Sequence, residues 1–213
     1  GFVGNRLVSR LNNNEIPWIF YDKNLKKKSN KNLYLDVVNE ESFKDFNNIY
    51  AIINLAAEHR DDVKPISKYD DVNVRGAENV CNAARKNNIN TIIFTSSVAI
   101  YGFAPPGTNE NGEPNYFNDY GRTKYLAEQV YIKWQAEDKF NRKLVIVRPT
   151  VIFGEGNRGN VFNLLKQIAS GKFAMFGNGR NKKSMAYVEN VVAFLEHTLS
   201  FSNGLHIYNY IDK

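Results

Sequence analysis

The chain has 213 residues, 43% of them hydrophobic, which is enough for one sizeable core with an appended lobe. A lone Cys81 and histidines scattered at 59, 197 and 206 exclude an intramolecular disulfide and show no metal-ligand spacing, which suits a reducing cytosol. The formal charge of +6 sits in short runs, Lys26 to Lys28 and Lys182-Lys183, without interleaved aromatics, so a small anionic ligand fits it better than nucleic acid.

The chain opens on Gly1-Phe2-Val3-Gly4 and passes directly into an amphipathic stretch, a glycine turn that starts a helix over 5–12. Apolar runs rich in Val, Ile, Phe and Tyr then alternate with longer amphipathic stretches, the pattern of βα units around a parallel sheet. Strands are expected at 17–21, 33–37, 51–56, 91–95 and 143–148, and further helices at 42–47, 66–86 and 118–140. Several strands are apolar throughout, as they must be when helices cover both faces, so the sheet should be doubly wound. The longest apolar run, 144–153, is cut by Arg148 and Pro149 and is too short to cross a membrane. After Gly154 the pattern changes to a helix at 160–169, a strand at 173–176 running into a turn at 177–179, a helix at 188–200 and a strand at 205–210. A sheet of this kind needs a first strand at its centre, and none stands before Gly1, so both ends of the chain are expected to be cut.

Two features carry chemistry. Tyr120 and Lys124 lie four residues apart, on one face of the helix expected over 118–140. An ammonium there should favour the phenolate and lower a pKa that is about 10 in free tyrosine, making a group that takes and returns a proton near neutral pH. Ser97 would hydrogen-bond the same substrate oxygen. The spacing alone equally describes a solvated helix face. The second feature is Asp22, which closes the apolar run 17–21 about 20 residues after the glycines, where a carboxylate binds both ribose hydroxyls and repels a 2′-phosphate, favouring NAD over NADP.

Further segments fall in a consistent order: Asp36-Val37, Asn54-Leu55-Ala56-Ala57, the N-x-x-G-x-x-N-V pattern from Asn73 to Val80, Thr95-Ser96-Ser97 followed by Tyr101-Gly102, and Arg148-Pro149-Thr150-Val151. With Gly1 to Leu7 and Tyr120 to Lys124, they resemble the extended short-chain dehydrogenases/reductases, the group of nucleotide-sugar epimerases and dehydratases. The resemblance spans essentially the whole chain. It implies a Rossmann-like α/β fold lacking its first strand, with an NAD-binding domain at 1–154. Residues 155–213 would form part of a small C-terminal substrate lobe interleaved with the end of the sheet.

The same resemblance implies the site residues. NAD would be held by Gly1, Phe2, Val3 and Gly4 at the pyrophosphate, Asp22 at the ribose, and Asp36 and Val37 at the adenine. Leu55, Ala56, Ala57, Asn73 and Thr95 would line the dinucleotide, with Tyr120, Lys124, Pro149 and Val151 toward the nicotinamide. Ser97, Tyr120 and Lys124 would be catalytic, with hydride passing between a sugar carbon and NAD. Ser97, Arg158, Asn160, Arg180 and Lys183 would bind the nucleotide-sugar, the guanidinium groups as phosphate ligands. Lys183 stands where many epimerases carry an arginine, which argues against UDP-galactose recognition of the usual kind. Val98-Ala99 stand where dehydratases of the group carry Asp-Glu, so a 4,6-dehydratase is disfavoured. The expected activity is a UDP-glucose type 4-epimerase. A one-way 4-keto-sugar reductase and an inactive fragment remain as alternatives. The resemblance also implies a homodimer through the helices at 66–86 and 118–140.

Overall fold

The computed structural model describes residues 1–25, 29–44, 46, 48–60, 62–171, 173–174, 177–180 and 182–212. The lysine run at 26–28, the end of the helix expected over 42–47 and half of the strand expected at 173–176 therefore lie outside the described residues.

In chain order the elements are α1 (Phe2–Asn13), β1 (Phe20–Tyr21), β2 (Asn32–Leu33), β3 (Ile52–Asn54), α2 (Ser67–Tyr69), α3 (Gly76–Lys86) and β4 (Thr91–Thr95). They continue with α4 (Asp119–Ala136), β5 (Lys143–Pro149), β6 (Val151–Phe153), α5 (Asn160–Ala169), β7 (Met185–Tyr187), α6 (Val188–His197) and β8 (Gly204–Tyr210). The main sheet is wholly parallel, in the order β3-β4-β5-β8. Side-chain alternation sorts its two faces. Ile92, Phe94, Leu144 and Ile146 point into a core shared with α3 and α4, including Val80, Ala84, Ala127, Tyr131 and Trp134. Ile93, Val145 and Val147 point into a second core with Leu7 and Leu11 of α1 and Val191, Val192 and Leu195 of α6. Burial on both faces explains why β5 is apolar almost throughout.

The helix expected over 66–86 is present as a continuous path: α2 passes through a π-helical stretch, Asp70–Arg75, into α3. At the start of α3 a Cβ on Gly76 would stand 2.9 Å from Val37 Cγ2, so the helix rests directly on the end of the 33–37 segment. Asn79 Nδ2 fixes that segment by donating to the Val37 carbonyl at 2.8 Å. Three expectations change. The runs at 17–21 and 33–37 yield strands of only two residues each, because β1 and β2 pair with each other and neither is hydrogen-bonded to the four-stranded sheet. In its described part the helix expected over 42–47 is not formed: residues 43, 44 and 46 are non-helical, and a 3-10 turn, Glu40–Ser42, stands at its start, capped by Asn39 Oδ1, which accepts the Glu41 N–H at 3.1 Å. Finally, α4 stops at Ala136, where Arg142 reaches back to the Trp134 carbonyl and to Glu137.

The residues after Gly154 are divided between the sheet and a separate strand pair. β8 pairs with β5 along its whole length, and α6 packs on α1 with Arg10 ion-paired to Glu196. The parallel pair β6-β7, which the sequence pattern does not reveal, forms its own small sheet with Ala186 buried in the core shared by α1 and α6, while α5 leaves Phe162, Leu164, Leu165 and Ile168 exposed. Cys81 is buried, and burial pushes its thiol up to about 12, so it is an inert core residue. Among the described residues no cluster of His, Cys, Asp and Glu could hold a metal, and no helix is long and apolar enough to cross a membrane.

Candidate active site

Two backbone devices bring Ser97 and Tyr120 together. α4 is capped by Asn118, whose Oδ1 accepts the Gly121 N–H at 2.8 Å. Ser97 caps the 3-10 turn Val98–Tyr101, accepting the Ala99 N–H at 3.1 Å. The turn and the helix touch at Gly121, where a Cβ would fall 2.5 Å from the Ala99 carbonyl oxygen and 3.0 Å from Tyr116 Cβ. Only glycine permits that approach, so the residue beside the catalytic candidate sets how closely Ser97 and Tyr120 stand.

Lys124, one turn further along α4, is 2% exposed, with its ammonium 4.2 Å from the centre of the Phe94 ring. Burial lowers its pKa to about 7, against the charge of Glu128, which raises it. Burial also raises the Tyr120 phenol above its ordinary value, opposed by a hydrogen bond with Ser97. This reverses the sign expected from the sequence. Desolvation penalises the charged form of both partners, and an ammonium that has lost about half its protons near neutrality exerts little field on its neighbour. Ser97, rather than Lys124, is the group that favours the phenolate.

The glycine turn, the segments after β1 and β2 and the C-terminal ends of β4 and β5 supply groups suited to a dinucleotide. Gly4 lets α1 approach Phe20 and Leu55, a Cβ there lying 3.0 Å from the Phe20 ring, and the space beside Gly1 is open to 4 Å. The Gly1 nitrogen lies 3.2 Å from Asp22 Oδ2, so carboxylate and glycine turn are neighbours. Phe2 and Val3 are half-buried in the first turn of α1, whose N-terminus favours an anion. Asp36 Oδ1 accepts the Val38 N–H at 3.2 Å, beside a cavity of about 320 Å³ lined by Asp36, Val38, Asn39, Glu40, Arg75 and Asn79. At the C-terminal ends of β4 and β5, the hydroxyls of Thr95, Ser96 and Thr150 are buried and have no hydrogen-bond partner among the described residues. Buried polar atoms left unpaired in this way favour a ligand that pairs them. These residues fit NAD.

Other candidates act within the protein. Asn73 spends both amide hydrogens on the Glu58 carbonyl at 3.0 Å and Thr123 Oγ1 at 2.9 Å, and its oxygen accepts the Glu58 N–H at 2.8 Å. It therefore fixes the segment after Ala57 to α4. Asn54 does the same for Ala56, accepting its N–H at 3.0 Å while donating to Tyr131 at 2.7 Å. Leu55, Ala56 and Ala57 are half-buried, Pro149 is buried at the end of β5, and Val151 starts β6. Arg158, Asn160, Arg180 and Lys183 are exposed on the segments around α5 and β7, and no described hydrogen bond joins them to Ser97 or Tyr120. Sequence reasoning overlooked Glu128 and Arg148 as a pair. The available signal was a charged residue eight positions after Tyr120 on the same buried helix face.

This arrangement can be compared with known proteins. A protein from Escherichia coli O157:H7, N-acetyl-alpha-D-glucosaminyl-diphospho-ditrans,octacis-undecaprenol 4-epimerase, is 55% identical over 163 residues, covering 76% of this chain and 49% of its own length. The UDP-glucose 4-epimerase of Vibrio cholerae is 28% identical over 137 residues, 62% of this chain and 40% of that protein. The chain thus spans half or less of these relatives. The solved UDP-N-acetylglucosamine 4-epimerase of Bacillus cereus superposes over 99% of this chain and 72% of its own, with a TM-score of 0.86 at 20% identity, which establishes the Rossmann-like fold. A sequence model of the NAD dependent epimerase/dehydratase family matches residues 1–210, and the chain belongs to that family.

Proposed function

We propose that this chain provides the cofactor site and proton-transfer group of a 4-epimerase, and that its substrate is an N-acetylhexosamine carried on a polyprenyl diphosphate. The contact between the Ser97 turn and the first turn of α4 at Gly121 carries the first part, because it sets a hydroxyl beside a phenol at the end of the sheet. The second part is supported by 55% identity to an enzyme named for such a lipid-linked sugar, against 28% to one named for UDP-glucose.

Bound NAD supplies the hydride acceptor and donor at the sugar carbon. Tyr120, as the phenolate that the Ser97 hydrogen bond favours, takes the proton from the sugar hydroxyl as that carbon is oxidised and returns it when the opposite face is reduced. Ser97 hydrogen-bonds the same oxygen. Lys124 would hold the nicotinamide ribose, and Asp22 would favour an adenosine ribose without a 2′-phosphate. Val98 and Ala99 after Ser97 hold no acid or base for removing water. The buried surroundings of Lys124 and Phe94 keep solvent from the proton path.

The test is to offer the full-length protein GlcNAc-diphospho-undecaprenol, UDP-GlcNAc and UDP-glucose and to identify the sugars released from each by hydrolysis. The lipid-linked sugar is expected to reach an equilibrium mixture with its 4-epimer without net NADH formation. Turnover of the UDP-sugars alone would overturn the substrate assignment.

A further inference from the structure

Arg148, at the end of β5, is 6% exposed and forms a two-pronged ion pair with Glu128, which is fully buried: Nε to Oε1 is 2.9 Å and Nη2 to Oε2 is 2.7 Å. Its remaining amine, Nη1, donates to the Tyr101 hydroxyl and, at 3.1 Å, to the Glu110 carbonyl. Tyr101 in turn donates to Asn209 Oδ1 at 2.9 Å, and Asn209, the β8 partner of Arg148 in register, gives its N–H to Glu110 Oε1 at 2.7 Å. The Tyr101 ring lies 5.3 Å from the guanidinium carbon.

The connectivity is specific. Glu128 stands four residues beyond Lys124 and eight beyond Tyr120 on α4, while Tyr101 ends the turn that Ser97 begins. One planar side chain therefore grips the helix that carries the proton-transfer group and the turn that carries its hydroxyl partner. A buried ion pair of this kind is a poor way to gain stability, since well-packed apolar residues of similar volume serve as well or better. What the guanidinium fork gives, and a lysine does not, is a fixed angle between two elements.

We propose that Arg148 is a positioning residue for the reaction, holding the Ser97 turn and the Tyr120 helix in register through Tyr101 and Glu128. This rests on the epimerase reading of Ser97 and Tyr120. A displacement of about 1 Å between reacting groups lowers rate by up to roughly a hundredfold, so the effect falls on kcat while binding surfaces stay intact.

Two variants of the full-length, NAD-loaded protein test it. Tyr101→Phe keeps the ring over the guanidinium and removes only the bridging hydroxyl. The paired Glu128→Leu/Arg148→Met replacement removes the ion pair without stranding a buried charge. Both are expected to melt close to the parent and to keep the substrate KM within about twofold, with kcat reduced roughly tenfold in the first and up to a hundredfold in the second. An unchanged kcat in the folded paired variant would overturn the proposal. Crystal structures of parent and paired variant separate this from failure of the epimerase reading. If the parent does not epimerise any sugar, a Ser97 turn displaced from Tyr120 still supports the positioning role, and an unmoved turn rejects it.

Discussion

Replacing Tyr120 with Phe is expected to lower kcat by about 10²- to 10⁴-fold, the range that a positioned acid or base contributes. The substitution removes one oxygen and nothing that holds the fold. The Asn118 cap of α4, the Gly121 contact with Ala99 and the aromatic ring all remain. NAD binding, proposed to draw chiefly on Gly4, Asp22 and the hydroxyls of Thr95, Ser96 and Thr150, should change little by isothermal titration beyond the loss of the one Tyr120 contact expected toward the nicotinamide. A variant that retains kcat within tenfold of the parent would remove Tyr120 from the chemistry.

Lys124→Met should abolish most activity and, in the cofactor-free protein, raise stability. The reason lies in the sign of the lysine's shift: burial lowers its pKa from 10.5 to about 7. At about 1.4 kcal/mol for each tenfold change in the proton equilibrium, holding the charged form in this site costs on the order of 5 kcal/mol. Between about pH 7 and pH 10.5 the unfolded chain keeps a proton that the folded chain has lost, so stability contributed by this group rises with pH across that window. Below pH 7 both states hold the proton and the full penalty stands. A methionine of similar length pays none of it. At pH 6 the variant should melt at least roughly 5 °C above the parent, and the advantage should shrink as pH approaches 10. Equal or lower melting temperature at pH 6 would show that the ammonium is better solvated than its place over the Phe94 ring indicates. The expected pairing of gained stability with lost function is the usual mark of a strained active-site group.

The parts of this protein that are local in sequence were legible in advance, and the long-range parts were not. The Tyr120/Lys124 spacing placed both residues on α4, and the apolar runs at 91–95 and 143–148 became β4 and β5 almost unchanged, because burial on both faces leaves a strand no polar alternative. Gly1 comes beside Asp22, and Val37 rests against Gly76 at the start of α3. The sign of the Tyr120 shift was missed because it depends on desolvation by residues far away in the chain, and the charge rule for neighbours on a helix omits that. Arg148 and Glu128 are 20 positions apart and look unrelated until β5 lies against α4. β6 and β7 escaped notice because each is three residues long and finds its partner across a stretch of more than 30 residues. Asn73 matched a cofactor pattern, and its described hydrogen bonds join Glu58 to Thr123.

The central claim is that Tyr120, Ser97 and Lys124 support oxidation and re-reduction of one sugar carbon within a single closed site. It is tested most directly by supplying the full-length protein with substrate deuterated at C4 and following the product by NMR and mass spectrometry. Retention of deuterium at C4 in the epimerised sugar, with no net change in NADH absorbance, is the predicted result. Loss of the label to solvent, or NADH appearing or disappearing in step with product, would contradict it.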